Sequence, residues 1–280
     1  MVTRRDYEAE AVAAAHSVLL ELVRTLGAFH DDIVLVGGYL PYLRFSVPDD
    51  PHVGSLDIDL ALNHRSLATA AYDSILQLLA ARGYRPHPDP AKAHTYLREV
   101  AVGGHTIDLE IDLLAGEYGG RGRGRRHQIA QGVTPRKARG CDLAFEAPVE
   151  QRLEGVLPDG GRDQATVRLA AIVPFLVMKA MALATRLKEK DAYDIDYCLR
   201  YYRGGIEAVA KAFGPLRQHG LVQEALGHLA EKFAAFDSVG PTHVVTFREI
   251  DDPEARAIEQ RAAHARVQRL LALVREMKVE

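Results

Sequence analysis

Two carboxylates one residue apart, Asp57 and Asp59, are the side chains of this sequence best suited to hold a metal ion. Apolar residues alternate with them over residues 56–60, so a β-strand would place both carboxylates on one face. Such neighbours repel each other unless a cation lies between them. Mg²⁺ is typically bound by one or two carboxylates together with substrate phosphates. The segment therefore predicts a magnesium site, with Mn²⁺ as an alternative ion.

A glycine pair, Gly37 and Gly38, directly follows the short apolar run at residues 33–36. The run has the length and composition of a buried strand, and Pro41 suits the first turn of a helix that begins after the pair. A strand that ends in glycine and enters a helix directs unpaired backbone N–H groups toward a phosphate. A phosphate-binding turn followed by metal-binding carboxylates is typical of proteins that handle nucleotides.

This arrangement resembles the signature of the DNA polymerase β-like nucleotidyltransferase superfamily, in which a Gly-Gly or Gly-Ser pair precedes an Asp-x-Asp strand. Here Gly37 and Gly38 precede a segment with Ser55, Asp57 and Asp59, at a longer spacing than in the compact motif and with serine where threonine is common. The resemblance implies an α+β fold, with a mixed sheet flanked by helices. It also implies transfer of a nucleoside monophosphate from a triphosphate to an acceptor hydroxyl, with Gly37, Gly38 and Ser55 binding the nucleotide.

The resemblance further implies a third carboxylate on a neighbouring strand, and residues 105–114 offer three candidates on one strand face. We favour Asp112, because Asp-Leu-Leu at the end of the strand resembles the third acidic position of the family, and Asp108 is the alternative. Asp112 would hold metal together with Asp57 and Asp59, or accept the proton of the attacking hydroxyl. Alternating acids are also typical of the solvated face of a strand.

Periodicity and turn residues predict the helices and strands around these side chains. Residues 6–26 and 66–82 have the spacing of amphipathic helices, and residues 94–114 predict a β-hairpin around a glycine pair. The composition changes near residue 172, after which helical patterns dominate. We therefore predict a nucleotidyltransferase domain over residues 1–172 and a helical domain over residues 173–280 that completes the active site.

A second signature lies in the helical region. Lys179 and Arg186 are seven residues apart, on one helix face, and Asp191 with Asp194 predicts an N-cap and capping box of the next helix. The pattern Lys-x6-Arg-x4-Asp-x2-Asp resembles the AbiEii/AbiGii class of nucleotidyltransferase toxins. That resemblance implies catalytic roles for Lys179 and Asp191, and nucleotide binding by Lys179, Arg186 and Asp194. An ordinary charged helix with solvated ion pairs is the alternative.

A basic stretch runs from Arg121 to Arg139, with seven lysine or arginine residues and no acid. Such a stretch suits contacts with a nucleic-acid phosphate backbone, although a solvated surface loop would look the same. We interpret it as the surface that meets an RNA acceptor. The family resemblance implies that this acceptor is the 3′ end of a tRNA. It also implies that the chain is the toxin of a toxin–antitoxin or phage-defence system, with an antitoxin as partner.

The overall composition argues against several classes of protein. A net charge of −3 argues against binding polyanions with the whole surface, and no apolar run reaches the ~18 residues of a membrane span. Two isolated cysteines and a charged N-terminus lead us to expect a cytoplasmic protein. Three functional alternatives stay open: transfer to a small hydroxylated molecule, transfer to a protein hydroxyl, and a non-catalytic nucleotide-binding module.

Overall fold

A computed structural model describes residues 3–67, 69–116 and 135–277. The chain divides into two compact units, which we call the sheet unit and the helical unit. The sheet unit consists of Glu8–Leu40 and Gly54–Ala171. The helical unit consists of Met1–Tyr7, Pro41–Val53 and Ile172–Glu280.

The sheet unit is built on one mixed sheet, which has eight strands within the described residues. The strands are β1 (Ile33–Val36), β2 (Asp57–Leu62), β3 (Arg85–Pro86), β4 (Thr95–Val102), β5 (His105–Ala115), β6 (Arg136–Lys137), β7 (Val149–Val156) and β8 (Arg162–Leu169). Their order is β3-β4-β5-β2-β1-β8-β7, and β6 pairs with β5. Because β2 is antiparallel to β1 and parallel to β5, the sheet is mixed. With the helices, this confirms the predicted α+β fold class.

The core of the sheet unit lies between the apolar face of the sheet and helix α1 (Ala9–Thr25), which packs against β4, β7 and β8. The apolar residues of β5 that alternate with its acids, Leu109, Ile111 and Leu113, are at most 2% exposed. Period-two patterning therefore separates a buried apolar face from an acidic one. Two further helices, α2 (Tyr39–Phe45) and α3 (Thr69–Ala81), follow β1 and β2 in the chain.

The predicted hairpin is present as β4 and β5, paired from Val102 opposite His105 outward. Its two-residue turn is Gly103-Gly104, and both residues have positive φ, +55° and +85°. A type I′ turn requires positive φ at both central positions, which glycine adopts without a steric penalty. The glycine pair thus fixes the register that aligns the acids of β5 with the neighbouring strands.

The helical unit contains most of the C-terminal half of the chain. Its helices are α4 (Ile172–Arg186), α5 (Glu189–Tyr201), α6 (Gly205–Phe213), α7 (Gly220–Lys232), α8 (Val239–Phe247) and α9 (Pro253–Glu276). They agree with the helical patterns that begin near residue 172. Among the described residues, no helix combines the length and apolar character needed to cross a bilayer.

The segment Pro41–Val53, which contains most of α2 and the turn between α2 and β2, also belongs to the helical unit. Asp50 is its main anchor: the backbone oxygen of Asp50 accepts a hydrogen bond from Tyr197 Oη at 2.8 Å, and its carboxylate accepts one from Tyr201 Oη at 2.9 Å. The guanidinium of Arg248 lies 3.2 Å from the same carboxylate. These contacts hold the segment on α5 and on the C-terminal end of α8.

Candidate active site

The two carboxylates predicted to bind metal lie on one face of β2. Asp57 is exposed at the start of the strand and Asp59 is half-buried, while Ile58 between them is fully buried on the opposite face. The hydroxyl of Ser55, itself buried, donates a hydrogen bond to the carboxylate of Asp57. Ser55 therefore positions Asp57, a contact that sequence reasoning did not predict when it assigned Ser55 to the nucleotide.

The register of β2 with β5 places the third predicted carboxylate beside the first two. Asp59 pairs with Asp112 and Asp57 pairs with Glu110 in the parallel ladder. Adjacent strands lie ~4.8 Å apart, and paired residues of such strands point to the same face. Asp108 lies before the residues of β5 that pair with β2, and its carboxylate is 2.5 Å from Arg85 Nη2. The structure thus brings Asp112, rather than Asp108, next to Asp59.

The acids of β5 differ in what neutralises them. Lys92 Nζ lies 2.6 Å from Glu110, whereas Asp112 accepts a hydrogen bond from Thr95 Oγ1 at 2.6 Å and has His94 Nε2 at 4.0 Å. Burial lowers the pKa of His94, an effect that the nearby Asp112 only partly offsets, so the imidazole is neutral at pH 7. The carboxylate of Asp112 therefore has the hydroxyl of Thr95 and a neutral imidazole as neighbours, where Glu110 has the ammonium of Lys92.

Gly37 forms the other border of the Asp59 carboxylate. Val36 at the end of β1 pairs with Asp59, and Gly37 follows with φ of +74°. A Cβ at Gly37 would lie 1.9 Å from Asp59 Oδ2, so no other residue fits there without moving the carboxylate. Gly38 leads directly into α2, whose first residue Tyr39 donates a hydrogen bond to the Val12 backbone oxygen at 3.0 Å. The predicted phosphate turn and the predicted metal ligands are thus neighbours.

The donor set on this face suits a hard cation. Asp57, Asp59 and Asp112 offer only carboxylate oxygens, the ligands that Mg²⁺ and Mn²⁺ prefer. In the part of the chain that the structure describes, no group of three or more histidine, cysteine, aspartate or glutamate side chains forms a ready cage for a metal ion. Mg²⁺ commonly binds through one or two carboxylates and completes its shell with water and phosphates. These residues therefore fit an ion that is completed by its substrate.

The second signature forms a buried ionic network in the helical unit. Lys179 Nζ lies 3.0 Å from Asp191 Oδ1 and 2.7 Å from Asp194 Oδ2. Arg186 binds Asp191 through two nitrogens, Nε and Nη2, each at 2.7 Å. All four residues named by the pattern are therefore brought together at the junction of α4 and α5.

The predicted N-cap and capping box at Asp191 and Asp194 are wrong. The N-cap of α5 is Lys188, which makes no side-chain cap, and Asp191 and Asp194 both lie inside the helix. The chain turns between α4 and α5 at Leu187, which has φ of +49°. The carboxylates do not cap the helix because the cations of α4 and α5 bind them more strongly than a backbone N–H would.

Two further residues complete this network. Lys190 Nζ lies 3.0 Å from Asp194 Oδ1, and His52 Nε2 lies 2.9 Å from the same oxygen. Burial lowers the pKa of His52 to about 4 although Asp194 opposes the shift, so His52 is neutral at pH 7. Sequence reasoning missed the role of His52, because no local signal connects it with a helix so distant in the chain.

The network keeps its carboxylates charged. Burial alone would raise the pKa of Asp194, but Lys179 and Lys190 hold it well below the usual range of a carboxyl. Burial alone would lower the pKa of Lys179, but Asp194 and Asp191 hold it well above the usual range of an amine. Three cations thus face two carboxylates within this network, which leaves one excess positive charge.

The basic stretch predicted to meet RNA lies mostly outside the described residues, which resume at residue 135. Its described end forms β6, where Arg136 and Lys137 are both exposed and pair with Leu114 and Ala115 of β5. Two of the basic residues of the stretch are therefore anchored on the strand that carries Asp112.

A known protein family matches most of this chain. The model of the family described as nucleotidyl transferase AbiEii toxin, type IV toxin–antitoxin system, matches residues 21–276. A solved structure of an antigenic nucleotidyltransferase-like protein from Paracoccidioides brasiliensis is similar with 16% identity and a TM-score of 0.43, over 83% of this chain and 93% of that one. No curated protein matches. Because the family match extends over most of both units, this chain belongs to the AbiEii nucleotidyltransferase toxin family of type IV toxin–antitoxin systems.

Proposed function

We propose that this chain transfers a nucleoside monophosphate from a nucleoside triphosphate to a hydroxyl of an RNA, the 3′ end of a tRNA, with release of pyrophosphate, and that an antitoxin restrains it. One observation carries the proposal: Asp57, Asp59 and Asp112 lie side by side on one face of two paired strands, next to the Gly37 turn. Family membership supports the reaction class. The basic stretch of the sequence supports an anionic acceptor.

The carboxylates would hold Mg²⁺ or Mn²⁺, which when bound neutralises charge on the triphosphate. The side chains around them fix their orientation. Ser55 donates to Asp57, and Thr95 donates to Oδ1 of Asp112. Asp112 Oδ2 is then the oxygen that receives the proton of the attacking hydroxyl, because the hydroxyl of Thr95 is bound to Oδ1.

The turn at Gly37 supplies space rather than a side chain. The carboxylate of Asp59 fills the space that a Cβ at position 37 would take, so the backbone of the turn lies directly against the acids of β2. Backbone N–H groups at such a turn favour anions. Gly37 and Gly38 therefore bind the phosphates of the incoming nucleotide in this proposal.

The nucleotide roles of Lys179 and Arg186 rest on the family pattern, and the helical unit suggests how they divide. Lys179 is buried against both acids, whereas 39% of the Arg186 side chain is exposed. We therefore propose that Arg186 contacts the phosphates of the nucleotide. Lys179 acts through Asp191 and Asp194, whose charge and position it maintains.

Incubation with each α-labelled nucleoside triphosphate, Mg²⁺ and total RNA tests the proposal. Label should appear in tRNA with the wild-type chain and with Asp108→Asn, but not with Asp112→Asn, since only Asp112 lies beside Asp59. Label in protein or in a small hydroxylated molecule would replace the RNA acceptor with one of the alternatives. No label anywhere, with Asp57→Ala indistinguishable from wild type, would indicate a non-catalytic nucleotide-binding module.

A further inference from the structure

The short strand β6 lies at a break in the edge of the sheet beside Asp112. β4 pairs with β5 as far as Thr95, the partner of Asp112, and β6 continues on the same side of β5 at Leu114. The other side of β5 is already occupied there by β2. Arg136, the first residue of β6, therefore lies close to the end of β4 and to Asp112.

Strand alternation gives the two residues of β6 opposite directions. Arg136 pairs with Leu114, and residues two apart on a strand share a face, so Arg136 lies on the face of Asp112. Lys137 pairs with Ala115 and lies on the opposite face.

Within the described ranges, no acidic side chain forms an ion pair with the guanidinium of Arg136. The cations further along this face are paired, Arg85 with Asp108 and Lys92 with Glu110. Among the described residues, Arg136 makes no ion pair, and its side chain is exposed. A guanidinium in this situation suits a phosphate, which it can bind through two parallel hydrogen bonds.

The order of the strands indicates that a phosphate bound by Arg136 belongs to the acceptor and not to the nucleotide. Across the face run β1 with Gly37, β2 with Asp57 and Asp59, β5 with Asp112, and then β6. At ~4.8 Å per strand, β6 lies about 14 Å from β1, where the nucleotide phosphates bind in the proposed function. Arg136 is therefore on the far side of Asp112 from the incoming nucleotide.

We propose that Arg136 binds a backbone phosphate of the acceptor strand, and so selects a nucleic acid whose terminal hydroxyl lies at Asp112. This inference rests on the proposed function for the identity of the active face. The contact between Arg136 and a phosphate would explain a preference for a nucleic-acid acceptor. The net charge of the chain, which is −3, would not explain it. Small uncharged hydroxyl compounds would make no such contact.

Binding of fluorescent single-stranded RNA to the full chain, without nucleotide, tests this assignment. Arg136→Ala should weaken binding about tenfold, the effect of one lost charge-assisted contact, and should lower the salt slope by roughly 0.7. Lys137→Ala, on the opposite face, should have a clearly smaller effect. Arg162→Ala removes an equal charge from an exposed residue of β8 and should leave binding unchanged.

Equal losses in all three variants would overturn the assignment, because they would show that only overall charge matters. No loss in Arg136→Ala would overturn it as well. Labelled nucleotide transfer at limiting RNA separates this result from the proposed function. If wild type and Arg136→Ala transfer label equally, the Arg136 assignment fails and the proposed function stands. If the wild-type chain transfers none, the proposed function fails, while the binding titration still decides whether Arg136 holds RNA.

Discussion

Replacing Gly37 with alanine tests whether the turn after β1 must leave room for Asp59. Gly37 has φ of +74°, a conformation that costs other residues ~1–2 kcal/mol. The new Cβ would also lie 1.9 Å from Oδ2 and 2.7 Å from Cγ of Asp59, far inside van der Waals contact. The carboxylate must therefore turn away by an ångström or more. Because a displacement of ~1 Å at a reacting centre can cost ~100-fold in rate, we expect at least that loss of nucleotidyl transfer.

Gly160 offers a matched control in the turn between β7 and β8. Its φ is +89°, and among the described residues outside its immediate chain neighbours no atom lies within 4 Å of an added Cβ. Gly160→Ala therefore carries the same backbone penalty without touching Asp59. Gly160→Ala should lose about 1–2 kcal/mol in free energy of unfolding, and Gly37→Ala should lose at least as much because of the added contact with Asp59, but only Gly37→Ala should lose transfer.

The assay combines two measurements on each variant. Urea unfolding followed by circular dichroism gives the free energy of unfolding, and incorporation of α-labelled nucleotide into RNA gives the initial rate at saturating nucleotide. Equal transfer rates for Gly37→Ala and Gly160→Ala would refute the reasoning, because the contact with Asp59 would then have no catalytic consequence.

Two further predictions concern the ionic network of the helical unit. Lys179→Met should lower the free energy of unfolding by about 3–5 kcal/mol, because Asp191 and Asp194 lose a buried partner. Lys188→Met, at an exposed lysine, should lower it only slightly. Equal losses of the two variants in urea unfolding would contradict this prediction. His52 has a pKa near 4 when folded against 6.5 as its ordinary value, so the unfolded chain binds more protons between these pH values. Protonation of His52 should therefore lower the free energy of unfolding by about 3 kcal/mol as the pH drops from 7 to 4. The His52→Gln variant should lack this contribution. An unchanged pH dependence of urea unfolding in His52→Gln would contradict the assignment.

Local patterning was enough to predict the elements that carry the acids. Alternation in β2 and β5 determines which side chains share a face, and the glycine pair at residues 103–104 determines the hairpin between β4 and β5. These features depend on backbone geometry over a few residues, which sequence reports directly. The register between β2 and β5 cannot be predicted from a few neighbouring residues, because tertiary packing joins segments that are far apart in the chain.

The network around Asp194 shows where local rules fail. A capping box was predicted for Asp191 and Asp194 from their spacing, but cations on α4 and α5 take both carboxylates. His52 lies in the connection between α2 and β2, directly after Pro51, yet it is buried and stacks against Tyr193. Neither outcome has a signal in the neighbouring sequence, since the partners meet only in the folded unit.

The most direct test of the proposed active site is the binding of Mn²⁺, followed by electron paramagnetic resonance, in the presence of a non-hydrolysable nucleoside triphosphate. Wild type and Asp108→Asn should bind the ion with similar affinity, because Asp108 pairs with Arg85 and lies outside the β2 ladder. Asp59→Asn should bind it at least ~10-fold more weakly, since it lacks one carboxylate ligand. Equal binding by all three proteins would contradict the assignment of Asp57, Asp59 and Asp112 as a metal site.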